Sequence, residues 1–209
     1  MAPNRRVAPL RREQIVQATI QCLARDGYAR LTMKTLAREA GVSQGILHYY
    51  FADKAAILVA VLESVTADLN QRLEQAQHAH LQAPEKRLQA VIRTCLETAQ
   101  ACPELWQVFI QLWGEMMHDE QLSAINADLY TKMRRQIAVL LTLGIRQGTF
   151  RRVDVEATAA MILGVVDGMA LQLTFDPQVL TLEAAITCCY EAVERYLSPQ
   201  VELQLNAST

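Results

Sequence analysis

This 209-residue chain has no glycine-rich phosphate loop, no nucleophile motif and no helix-borne pair of metal ligands. That removes the common sequence routes to nucleotide, covalent or metal chemistry, so neither enzyme activity nor a cofactor is expected. The five cysteines are odd in number and contain no C-x-x-C pair. With no positively charged, apolar leader either, they point to free thiols in a reducing cytoplasm and not to a disulfide framework. His78, His80 and His118 make a poor metal set, because positions i and i+2 do not share a helix face. No run approaches the ~20 apolar residues that cross a bilayer, so no membrane partner is expected. No segment alternates as a strand does. What remains is an all-α reading, and 51% hydrophobic residues supply ample core material without metal or cross-links.

The net charge of −2 conceals a division. Residues 1–54 carry nine Lys and Arg against four Asp and Glu, while residues 55–209 carry eleven against eighteen. A basic head gains sequence-independent affinity for phosphate by releasing condensed counterions, and an acidic body avoids holding the duplex elsewhere. Charge also fluctuates between halves of unrelated proteins, so the split supports a nucleic-acid reading without carrying it.

The motif that carries it lies within the basic head. Leu36, Ala37 and Ala40 recur at helical spacing before Gly41, and Val42, Ile46, Leu47 and Tyr50 resume an apolar face after it. Gly41 suits the positive φ at which the first helix ends, and Ser43 suits the cap of the second. The spacing predicts a helix-turn-helix. Outward residues Gln44, Gly45, His48 and Tyr49 combine an amide able to pair with adenine, room for close backbone approach, and rings able to reach phosphate or base edges. Spacing alone also permits an ordinary αα corner, or a head that binds a protein partner. Residues 10–26 read as a preceding helix closed by Gly27, supplying core that a bare motif lacks. Ahead of it, Arg5 and Arg6 suit either a solvated tail or a minor-groove arm.

From Thr32 to Lys54 the chain resembles the amino-terminal signature of the TetR family of bacterial transcriptional regulators, T-x-x-x-[IL]-A-x-x-A-G-V-S-x-G-x-[LI]-Y-x-[YH]-F-x-x-K. His48 departs from it, standing where the family most often has Tyr. The resemblance implies that Thr32, His48, Tyr49, Tyr50 and Lys54 hold the DNA backbone, that Lys34, Gln44 and Gly45 approach bases, and that Phe51 anchors the bundle. A second, weaker likeness covers residues 160–177. The family implies a nine-helix fold, with a three-helix DNA-binding domain followed by a helical bundle for effector binding and dimerisation. Its partners would be double-stranded operator DNA, a small-molecule effector and a second copy of the chain. The expected division is 1–52 for tail and DNA-binding domain, 53–198 for the effector and dimer domain, and 199–209 for a tail.

Beyond the motif, Asp53 should cap a helix reaching about residue 80, a stiff rod of roughly 38 Å able to swing the head. Pro84 and Pro103 should open the next two, ending near residues 101 and 117. Residues 119–147, 154–175 and 181–197 complete the set. One stripe is rich in aromatic and thioether groups: Trp106, Phe109, Ile110, Trp113, Met116 and Met117. Such side chains line adaptable apolar pockets but also fill ordinary cores. The family resemblance favours a pocket, with Met133 and Ile137 as a facing wall. The Trp113 ring also suits a cation, which agrees with a similarity to the choline-responsive, BetI-like branch, and the effector is expected to be apolar or cationic. Asp167, in an apolar helix, would meet either that cation or a solvent edge or partner arginine. Ala160, Gly164 and Gly168 form a ridge with little side chain, with Leu171 on the same side, expected to meet Ala185, Ile186, Cys189 and Val193 in a two-fold interface. Packing within the same chain is the alternative. The pairs Cys95/Cys102 and Cys188/Cys189 read as redox partners or as small buried thiols.

Overall fold

The computed structural model describes residues 7–78 and 83–199; Arg5, Arg6, His80 and the carboxyl-terminal tail from residue 200 lie outside them. Among the described residues there are nine α-helices, one 3₁₀ turn and no strand. The helices are α1 Val7–Asp26, α2 Met33–Glu39, α3 Gln44–Tyr50, α4 Lys54–His78, α5 Pro84–Ala101, α6 Pro103–Met116, α7 Glu120–Arg146, α8 Val155–Phe175 and α9 Leu182–Leu197. Their ends follow local chemistry. Pro84 and Pro103 open α5 and α6, where a missing N–H costs no hydrogen bond. The side chains of Asp53, Asp154 and Thr181 each accept a backbone N–H in the first turn of α4, α8 and α9. Only α1 starts well outside its expected range, three residues early. Pro9 does not stop it, because the first-turn N–H it lacks would have had no partner anyway.

The helices form two compact units whose boundaries differ from the expected division at residue 52. The first runs to Arg72 and also takes up Thr98–Thr131. Its core joins Ile15, Leu23, Leu36, Leu47 and Ile57 of the head to Val108, Leu112 and Met116 of α6 and Leu122 of α7, all at most 5% exposed. The reason is that α6 packs along α1, covering a face that the motif is too small to bury. The second unit comprises Leu73–Glu97 and the chain from Lys132 onward. Buried in it are Ile92 and Leu96 of α5, Leu140 and Leu141 of α7, Ile162 of α8 and Ile186 of α9.

Helix α8 corrects the expectation about apolar runs. It is apolar and long enough, by length and composition alone, to cross a bilayer. Gly, Thr and Asp167 interrupt its runs and hide this from inspection. One face, Ala159, Ile162, Leu163, Val166 and Ala170, is buried in the second unit, as a core helix requires, and α8 packs against α9.

Between α7 and α8 the chain turns back tightly. Gly148 ends α7 at φ 75°, the Thr149 and Phe150 N–H groups donate to the Gly144 carbonyl at 2.9 and 3.1 Å, and the Phe150 ring lies on the bare Cα of Gly144. Arg151 then donates to the last carbonyls of α9, its N–H to Leu197 O at 2.8 Å and its guanidinium to Tyr196 O. A methyl at position 144 would overlap the Phe150 ring. Gly144→Ala is therefore expected to destabilise the chain by about 1–3 kcal/mol, seen as a lower urea midpoint at unchanged slope.

Candidate nucleic-acid interface

The head is assembled by reciprocal caps. Thr32 Oγ1 accepts from Thr35 N–H at 3.1 Å while Thr35 Oγ1 accepts from Thr32 N–H at 2.9 Å, closing the amino end of α2. At its other end Gly41 adopts φ 62°. Val42 N–H donates to Ala37 O at 2.9 Å and Gly41 N–H to Arg38 O at 3.2 Å, the paired bonds of a Schellman turn. Ser43 Oγ accepts from Ile46 N–H at 3.2 Å and starts α3. From α1, Gln14 Nε2 donates to Ala40 O at 2.8 Å, fixing the turn.

An ion pair missing from the sequence reading ties α1 to α2. Arg25 donates through both terminal nitrogens to the Glu39 carboxylate at 3.0 and 2.9 Å, and also to Asp26. Those bonds hold both carboxyls below their usual range. Because the groups face solvent, the pair sets orientation more than stability.

On this frame α3 presents Gln44, Gly45, His48 and Tyr49 to solvent, Tyr49 at 70% exposure, while Leu47 is sealed in the core at 0%. Thr32 and Lys34 are exposed on α2, and Tyr50 is half-buried with its ring edge-on to Tyr49 at 5.1 Å. Phe51 is buried beneath the Arg12 guanidinium, which lies 5.2 Å from the ring centroid. Two further features escaped the sequence reading. Ile46, expected inward, is 44% exposed and offers an apolar surface of the kind that meets a thymine methyl. The Lys54 ammonium lies 3.5 Å above the Tyr28 ring, which restrains a side chain otherwise free to wander.

The expected effector residues fall in both units. Trp106, Phe109 and Trp113 form one aromatic cluster in the first, with centroids 5.7 Å apart for Trp106–Phe109, 5.3 Å for Phe109–Trp113 and 6.1 Å for the two indoles. Both indole N–H groups are buried with no acceptor among the described residues. Ile110 is half-buried beside them. Met116 is instead head core at 5% exposure, and Met117, on the cap of α6, is 83% exposed. The core that holds Met116 is the one against which Phe109 and Trp113 pack, whereas Met117 faces solvent. In the second unit Ile137 is core at 2%, Met133 is half-buried, and Asp167 is half-buried near the Cys95 thiol.

The α9 residues also need correction. Ala185, Ile186, Cys189 and Val193 are at most 2% exposed, packed inside the protomer. The apolar stripe of α9 is the face it turns to its own unit. Ala160 and Gly164 of α8 are exposed, Gly168 and Leu171 half-buried, and a Cβ built on either glycine meets nothing within 4 Å. Packing against this chain thus does not account for the glycine ridge. As for redox pairing, burial pushes the Cys95 thiol up to about 12 and Cys189 up to about 11, the opposite of an activated thiol.

Comparison with known proteins agrees with this geometry. Residues 15–61 match the family model described as bacterial regulatory proteins, tetR family, and residues 84–198 match that of the BetI-type transcriptional repressor, C-terminal. The HTH-type transcriptional regulator BetI of Burkholderia mallei (strain NCTC 10229) is 23% identical over 95% of this chain and 100% of its own. A TetR transcription regulator from Haloarcula marismortui superposes with a TM-score of 0.81 at 26% identity, over 90% of this chain and 98% of its own. A transcriptional regulator from Saccharomonospora viridis, solved in complex with choline, does so at 0.77 and 23%, over the same shares.

Two substitutions separate the roles on α3 and α4. Gln44→Ala should cost about 1–3 kcal/mol of discrimination at one base pair while leaving non-specific affinity in place. Lys54→Ala should weaken every duplex alike and flatten the salt dependence by about one unit per head. Titrations of selected and random duplexes at two ionic strengths check both, and identical effects on all DNA would overturn the assignment.

Proposed function

The chain belongs to the TetR family of bacterial regulatory proteins, and from that membership we propose a cytoplasmic repressor that grips a palindromic operator as a homodimer and is released by a small-molecule effector. It is a DNA-binding transcriptional regulator and not an enzyme. The observation that carries the DNA-reading role is a short helix fixed in the core through Leu47 with Gln44, Gly45, His48 and Tyr49 facing outward.

The dimer is supported by α8, where Ala160 and Gly164 lie open beside Met161 at 36% and Phe175 at 74% exposure. Glycine inside a helix costs about 1 kcal/mol relative to alanine, and a partner backbone that needs the space explains keeping two. The paired heads then sit one helical turn apart or a multiple of it, ~34–36 Å for adjacent half-sites.

The effector reading rests on the cluster of Trp106, Phe109 and Trp113. Aromatic faces attract soft cations, and an acceptor on the ligand relieves the cost of a buried, unpaired indole N–H. A quaternary ammonium bearing a hydroxyl has both properties, and choline is bound by the Saccharomonospora viridis protein. Release requires preference for one body shape, since reversing occupancy takes about 5.5 kcal/mol of differential binding.

Binding to a pool of random-sequence duplexes tests the DNA reading: enrichment of one palindrome with steep salt dependence supports it, and indifference to duplex overturns it. Gly164→Leu should give monomers by analytical ultracentrifugation, and an intact dimer would remove α8 from the interface. Both tryptophans of the chain lie in α6. Choline should therefore change their emission in the wild type and not in Trp113→Ala, and a flat wild-type titration excludes choline as effector.

A further inference from the structure

Resting on the reading of α3 as the duplex-facing helix, we propose that His48 meets DNA as an imidazolium on a backbone phosphate, so that each head takes up a proton when it binds. His48 is exposed, and its Nδ1 lies 3.3 Å from the Ala52 carbonyl oxygen. A carbonyl oxygen only accepts, so the hydrogen in that bond belongs to Nδ1. A neutral imidazole has a single N–H. Once Nδ1–H is given to Ala52, neutral His48 can present only the Nε2 lone pair to its surroundings.

A phosphate oxygen is also an acceptor. It cannot bond to that lone pair, and the two repel. A proton on Nε2 turns the same atom into a donor on a cation, and the contact becomes a charge-assisted hydrogen bond. The tyrosine that the family signature places here donates without any change of charge. His48 therefore replaces a donor indifferent to pH with one that works only when charged.

Among the described residues no carboxylate forms a hydrogen bond or ion pair with the ring. Packed against α3 is α2, which carries exposed Lys34 and Arg38, and Glu39 already bonded by Arg25. The following turn carries Asp53, whose carboxylate accepts the Ala56 N–H at 2.8 Å, and Lys54 over Tyr28. On α3 itself the titratable neighbours are Tyr49 and Tyr50. The countercharge comes from the duplex.

The sign follows directly. The complex holds more protons than the free components, so affinity falls as pH rises. Each head contributes at most about tenfold in affinity per pH unit.

The test uses the full chain and a duplex enriched from a random-sequence pool at about pH 6, with calorimetry near neutrality in two buffers of different protonation heat at constant ionic strength. Wild type should take up as much as about one proton per head. His48→Gln, whose carboxamide donates without charging, should bind the same duplex with no uptake and a flat pH profile. Unchanged uptake in His48→Gln, or none in wild type, overturns the proposal. A flat wild-type profile with altered preference at one base pair in His48→Gln overturns it in favour of a neutral ring accepting from a base amino group. Failure to bind duplex at any pH overturns instead the reading of the head itself.

Discussion

A three-helix motif of about 50 residues has little surface to bury and is marginal on its own, and α6 packed along α1 supplies what it lacks. Val108, Leu112 and Met116 close over Ile15 and Leu23 in one continuous core that also holds Leu36 and Leu47. Leu47 fixes the axial position of α3, and through it the direction in which Gln44, Gly45 and His48 project. The orientation of the outward side chains of α3 is therefore set by apolar packing from the middle of the chain. The same α6 carries the Trp106, Phe109 and Trp113 cluster, so one rigid element belongs both to the head's core and to the aromatic site.

The surface of the head is arranged before any ligand arrives. Thr32 and Thr35 cap each other, Gln14 holds the turn, Arg25 clamps Glu39, and Tyr28 lies beneath the ammonium of Lys54. Each contact is individually modest. Their joint effect is to reduce the side-chain freedom that binding would otherwise remove, which favours association without adding a new contact to DNA.

Most helix boundaries were legible because they are written in single residues: Gly27 and Gly41 at positive φ, Pro84 and Pro103 at helix starts, Asp53 and Thr181 as caps. The motif was legible for the same reason. The division into units was not, because contact between α1 and α6 joins segments about 90 residues apart and leaves no local mark. Periodicity found the apolar stripe of α9 at Ala185, Ile186, Cys189 and Val193 but could not say whether it faced its own unit or another chain. Likewise Met116 and Met117 read alike in sequence, and their position at the end of α6 sends one into the core and the other into solvent. Pairing partners such as Arg25 with Glu39, or Lys54 with Tyr28, depend on geometry that spacing does not encode.

The late arrival of Val108, Leu112, Met116 and Leu122 has a consequence for synthesis and for genetics. While the ribosome has made only the recognition motif and α4, the strip of α1 that α6 covers stays open, and this core is completed only once translation has passed Leu122. A premature stop between the motif and that point would leave a fragment whose head lacks the part of its core that Val108, Leu112, Met116 and Leu122 supply.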